Sequence, residues 1–265
     1  MSQQPLEGRT IIVTRAAEDG AELAERLRAL GARIIGVPAI RCRLADDLRE
    51  WEEALARRRE ITHVVFTSRR AADFFLELAV RSGAPAEAWR ASRIAAVGPK
   101  TAARLRESGL EPDVEPARAT GLELARELVE RHGVGPGSVV LLPRSALGSP
   151  EATAVLETCG ATVLDVPIYV TEAEDPAKAA PLIDLIDRGE TVDAVVFASP
   201  SALQGFLEMT GALGRRLLEA PSTRLVAIGP TTRRAIEDAG LRVASQAARP
   251  DVDSLVAAVE AALAG

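Results

Sequence analysis

Short apolar runs alternate with amphipathic stretches along the chain, the pattern of strand followed by helix. Arg9–Val13 reads as a strand, about Gly20–Leu30 as a helix closed by Gly31, and Ile34–Val37 as the next strand. Asp19 with Glu22 is a capping pattern for that helix, since a side-chain oxygen can take a free N–H of the first turn. Pro38 then interrupts, Ala39–Leu44 reads as extended, and Asp46–Arg59 as a polar helix. The strand His63–Phe66 runs into Thr67-Ser68-Arg69-Arg70 and a helix carrying Phe74, Phe75 and Leu78. A strand from Arg93, a Gly98-Pro99 turn with its helix, and a brief strand at Pro112–Glu115 follow. Thr120 with Glu123 is a second capping box, opening a helix that ends near His132.

From Gly137 the pattern restarts. Val139–Leu142 is a strand, Glu151–Thr158 a helix closed by Gly160, and Thr162–Val166 a strand followed by Pro167. Ile168-Tyr169-Val170 is extended, Ala177–Arg188 a helix and Val192–Phe197 a strand. Ser199 opens the next helix, Gly229-Pro230 repeats the earlier turn, and Asp251 caps the last helix. The landmarks recur at fixed offsets: 195−64, 229−98 and 240−109 all give 131, while 137−8, 144−15, 160−31 and 167−38 all give 129. The chain is a tandem duplication of an α/β unit. Five strands per unit, joined by helices, predict a parallel sheet covered on both faces, in the flavodoxin-like order 2-1-3-4-5.

In such a sheet ligands bind at the carboxyl ends of the strands. Those ends carry Thr14-Arg15, Thr67 to Arg70, Gly98 to Thr101, Arg144-Ser145, Ser199 to Ser201 and Gly229 to Thr232. The edge is small, hydroxylic, glycine or arginine, which suits anions held by backbone amides at helix starts. It shows no nucleophile paired with a base. Proline just inside each Gly-Pro helix costs no hydrogen bond, because the first-turn N–H has no intrahelical acceptor.

Composition narrows the function classes. A chain of 265 residues with 47% hydrophobic content can bury a large core and is expected to form two domains. Net charge of −6 argues against a broad nucleic-acid face, although local arginines still match carboxylates. No apolar run is long enough to cross a bilayer, and MSQQPLEGRT lacks a signal-peptide pattern, so a soluble cytoplasmic protein with no membrane partner is expected. Cys42, Cys159, His63 and His132 show no metal-ligand spacing, and both cysteines are expected to be free thiols. No GxGxxG follows the first strand, against a nucleotide- or flavin-binding enzyme.

The ordered set IIVTR, VVFTSRRAADFF, AAVGPKTAARL, VPIYVT, VVFASPSALQGF and VAIGPTTRRAIEDAGL resembles the uroporphyrinogen-III synthase family over nearly the whole chain. The resemblance implies two flavodoxin-like domains with interleaved boundaries: 1–38 with 171–265 in one, 42–166 in the other, and 38–41 and 167–170 as two extended linker strands. It implies an enzyme of porphyrin and heme biosynthesis, a lyase that closes hydroxymethylbilane to uroporphyrinogen III in a cleft between the domains. Ring D is inverted through a spiro intermediate and water is lost, with no metal or organic cofactor. Hydroxymethylbilane synthase is the implied partner by substrate hand-over, and a monomer is expected. The residues alone leave open a non-catalytic two-lobed small-molecule sensor on the same fold.

For single residues, the resemblance makes Tyr169 the catalytic candidate, a phenol donating to the leaving hydroxyl. Substrate-binding candidates are Arg15, Ser68, Arg70, Gly98, Thr101, Arg144, Ser199, Gly229 and Thr231, with no metal ligand among them. Thr101 and Thr231 follow the two Gly-Pro turns, and the resemblance implies functional threonines at both. Against these stand plainer readings: serine and threonine as helix caps, arginines as solvated ion pairs, and Tyr169 as a packed linker side chain. The phenylalanines at 66, 74, 75, 197 and 206 are expected to be core.

Overall fold

A computed structural model describes residues 4–15, 17–148 and 150–264, with the side chains of 17–19 left aside. The chain divides into two compact units, residues 1–41 with 172–265 and residues 42–171. Each is built around one five-stranded sheet.

The first unit contains β1 (Thr10–Val13), β2 (Arg33–Gly36), β8 (Ala194–Phe197), β9 (Arg224–Ala227) and β10 (Val243–Gln246). They lie in the order β10-β9-β8-β1-β2, every neighbouring pair parallel. Counted in chain order within the unit this is 2-1-3-4-5, the order expected from the strand–helix alternation. Its helices are α1 (Ala17–Ala29), α7 (Ala180–Asp187), α8 (Pro200–Glu219), α9 (Pro230–Asp238) and α10 (Val252–Leu263). Alternate residues of each strand feed opposite faces: Ile12, Val195 and Phe197 pack into one apolar cluster, Ile11, Val13, Ala194 and Val196 into the other. α1 opens at Ala17, ahead of the expected cap, and the Asp19 side chain lies outside the described residues. Asp251 caps α10 by accepting from the Ser254 N–H at 2.8 Å.

The sheet of the second unit is made of β3 (Ile40–Leu44), β4 (His63–Phe66), β5 (Arg93–Ala96), β6 (Val139–Ser145) and β7 (Thr162–Ala173), in the order β3-β7-β6-β4-β5, with the start of β3 and the end of β7 belonging to the first unit. The helices are α2 (Arg49–Ala56), α3 (Arg69–Arg81), α4 (Pro99–Glu107), α5 (Gly121–Arg131) and α6 (Glu151–Thr158). β5 and β9, like α4 and α9, start 131 residues apart, as the repeat requires (224−93, 230−99). Trp51, Phe66, Phe75 and Trp89 form a buried aromatic cluster on one face of this sheet.

This sheet departs from the expectation in three places. Pro112–Glu115 forms a single bridge, Ala95 to Val114, instead of a strand. Pro112 and Pro116 lack N–H groups, and the Ile94 amide is taken by the Asp113 carboxylate at 2.7 Å. The sheet's fifth member is β3, which runs antiparallel to β7: Ala45 donates to Ile168 while Glu174 donates to Ala39. Finally, prolines expected to end strands do not. β6 continues through Pro143 because its pairing with β4 is already finished at Leu141. β7 passes Pro167 unbroken for 12 residues, with the register slipping beside it between Arg144 and Ser145.

Candidate active site

The carboxyl edge of the second unit gathers the richest chemistry. β4 delivers Thr67 and Ser68, β6 delivers Arg144 and Ser145, and β7 carries Tyr169. With Thr120, Gly121, Gly148, Glu151 and Ala152 they line a cavity of about 310 Å³. Ser68 caps α3, accepting from the Ala71 N–H at 3.0 Å, and the same oxygen lies 3.5 Å from the Tyr169 hydroxyl. The capping role and a role at the site thus coexist in one side chain.

Tyr169 is packed, and its hydroxyl faces Ser68. It is 7% exposed, belongs to the core of the second unit, and stacks on Phe74 with ring centroids 5.0 Å apart. Phe74 packs partly buried against the same core, and Phe66, Phe75, Phe197 and Phe206 are buried core as expected. Burial pushes the Tyr169 phenol up, outweighing hydrogen bonding with Ser68 and Ser145 and the nearby Arg70 guanidinium, which pull the other way. The group is a neutral O–H donor throughout the physiological range.

Arg144 differs from the expected substrate clamp. Its guanidinium grips both oxygens of Asp165, the second at 3.0 Å, and donates to the carbonyls of Ser145 at 2.9 Å and Gly148 at 3.3 Å. Asp165 is also held by the Thr153 hydroxyl at 2.9 Å. Arg70 is half-buried in the first turn of α3, close enough to Tyr169 to act on its phenol. Gly98 is the N-cap of α4, and a Cβ there would come within 3.0 Å of the Ala119 side chain.

In the first unit the corresponding edge carries Arg15, half-buried just beyond β1, Ser199 as N-cap of α8 and Gly229 as N-cap of α9. Ser199 accepts from Ala202 N–H at 3.1 Å and lies 3.0 Å from the Ser201 hydroxyl. The threonines after the two Gly-Pro turns differ in burial. Thr101 is 3% exposed with its amide turned back to Gly98, whereas Thr231 is exposed. The true counterpart of Thr101 is the buried Thr232, an equivalence the 131-residue offset already contained (232−101).

Among the described residues no group of three His, Cys, Asp or Glu side chains is placed to hold a metal ion. Cys42 and Cys159 are free thiols. His63 is buried with Nε2 unpartnered. No helix among the described residues is long and apolar enough to cross a membrane.

The family profile described as HEM4, uroporphyrinogen-III synthase HemD, matches residues 21–257. The chain belongs to the uroporphyrinogen-III synthase family. The family is one of enzymes, cyclising lyases of porphyrin biosynthesis that act on a tetrapyrrole. A uroporphyrinogen-III synthase of Synechococcus elongatus is 30% identical over 98% of this chain and 97% of that protein. The porphyrin biosynthesis protein HemD of Ruminiclostridium josui is 28% identical over 96% of this chain, which spans 48% of that protein's length. A crystal structure of a mutant uroporphyrinogen III synthase from Thermus thermophilus superposes with a TM-score of 0.60 over 97% of this chain and 99% of that one, at 20% identity. At that identity the likeness bears on the fold, which it matches as a two-domain α/β synthase structure.

Proposed function

We propose that this chain converts hydroxymethylbilane to uroporphyrinogen III, with Tyr169 as the donor to the leaving hydroxyl. The observation that carries the reading is a neutral, buried phenol that lines a cavity with its oxygen beside Ser68, in a chain of this family. The pyrrole nitrogen lone pair expels the hydroxyl; the carbon–oxygen bond breaks, and the oxygen departs as water with a proton supplied through Tyr169. The substituted carbon of ring D then attacks the resulting methylene to give a spiro intermediate. Its fragmentation and reclosure invert ring D, and loss of a ring-carbon proton restores the pyrrole and replaces the proton spent.

Such a reaction needs positioning more than a strong base. Anionic side groups of the substrate suit the helix-start amides and hydroxyls at Ser68 and Gly98, with Arg70 adding charge, and the first unit offers the same kind of donors at Ser199, Gly229, Thr231 and Arg15. Arg144 is reserved for a different task. We place the enzyme in the cytoplasm as a monomer, with hydroxymethylbilane synthase as the partner that hands over substrate. The test is the isomer ratio of the ring formed from hydroxymethylbilane. Dominance of the type III isomer supports the reading; dominance of the uninverted type I isomer, the unaided product, overturns it.

A further inference from the structure

The geometry points to Arg144 as a positioning residue that acts through Ser145 on the Tyr169 hydroxyl; this rests on the cyclisation proposed above. Arg144 is only 19% exposed, and four of its N–H donations are spent within the protein: two on Asp165, one on Ser145 O and one on Gly148 O. A guanidinium has five donors, so little remains for a substrate carboxylate. What the four bonds do is fix the chain that turns out of β6.

That turn is where the register of β6 against β7 slips, and the slip places Ser145 opposite Tyr169. The Ala146 N–H donates to the Tyr169 carbonyl at 2.9 Å, joining the turn directly to the tyrosine backbone. The Leu147 N–H donates to Ser145 Oγ at 3.2 Å. The Ser145 side chain lies on the same cavity wall as Tyr169 and pulls the phenol's pKa down, the effect of a hydroxyl that donates to the phenol oxygen. A phenol oxygen that accepts from Ser145 has its own proton free to point into the cavity. The anchor behind this arrangement is Asp165 on β7, which Thr153 of α6 holds from the other side. Ser68, Cys42 and Arg70 also face the phenol.

The experiment uses the full chain with hydroxymethylbilane and the variants Arg144→Lys, Asp165→Asn and Ser145→Ala, each alone and combined with Tyr169→Phe. Each single change is expected to lower kcat about tenfold with KM held within about twofold, the sign of an interaction made in the transition state. In the Tyr169→Phe background the same changes are expected to cost nothing further, because coupled residues fail to multiply. Ser145→Ala removes one hydroxyl and leaves the Arg144–Asp165 pair intact, so it reports even where the other variants fold poorly. Losses that multiply in the double variants overturn the positioning role, as does a raised KM with unchanged kcat in Arg144→Lys. Wild-type protein that yields only the type I isomer overturns the cyclisation as well.

Discussion

Gly205→Ala places a methyl group where the fold has no room. Gly205 lies in α8, and a Cβ built there meets the Ala39 carbonyl oxygen at 2.2 Å and the Ile40 Cγ2 at 2.9 Å. A normal contact requires about 3.4 Å, so backbone and helix must separate by roughly 1 Å. The Ala39 carbonyl also accepts from Glu174 N–H at 3.1 Å, a bond the shift would lengthen. Overpacking of this kind costs about 1–3 kcal/mol, and the strained hydrogen bond adds about 1 kcal/mol. Alanine's better helix propensity returns about 1 kcal/mol. The net loss of about 2 kcal/mol lowers Tm by roughly 4–8 °C for a chain of this size. Thermal melts followed by circular dichroism read this directly. Gly36→Ala is the control, since nothing lies within 4 Å of its added Cβ, and it is expected to stay within about 0.5 kcal/mol. An unchanged or raised Tm for Gly205→Ala refutes the close approach of α8 to Ala39.

Three further outcomes follow from single groups. Thr231→Val is expected to raise KM and leave Tm unchanged, because Thr231 is exposed on the first unit's edge, whereas Thr101→Ala lowers Tm because Thr101 is buried; steady-state kinetics with melts separate the two. Burial depresses the folded-state His63 pKa below its ordinary value, so the unfolded chain binds the proton first. Stability is then full above about pH 6.5 and falls as the pH drops through the window below it; urea melts of His63→Leu should show a flatter acid slope. The Asp251 carboxyl is held below its usual range by the Ser254 N–H it caps. Its contribution is present above the ordinary carboxyl pKa and lost as pH falls through the depressed one. Asp251→Ala therefore lowers Tm at pH 7, with the difference vanishing in strong acid.

The duplicated strand–helix pattern was legible because it is local: apolar runs, glycine stops and Gly-Pro helix starts each announce themselves within a few residues. The sheet of the second unit was less so. Whether Pro143 and Pro167 end a strand depends on which neighbour needs their missing N–H, and that is fixed by pairing between residues far apart in sequence. The membership of β3 in that sheet has the same origin. β10 was passed over because Val243–Gln246 is short and half polar. At the site, Tyr169 and Ser68 stand out by residue type and place, yet the commitment of Arg144 to Asp165, itself held by Thr153, is a tertiary fact with no spacing signature. The Thr101–Thr232 equivalence follows from the 131-residue offset alone.

The central claim is that the Tyr169 hydroxyl assists departure of the substrate's own hydroxyl, and single-turnover kinetics of Tyr169→Phe test it most directly. The variant keeps the ring stacked on Phe74, so fold and affinity are expected to survive. The rate of ring closure should fall about a hundredfold with substrate affinity nearly unchanged, the scale of one lost proton donor. Closure at the wild-type rate would contradict the account.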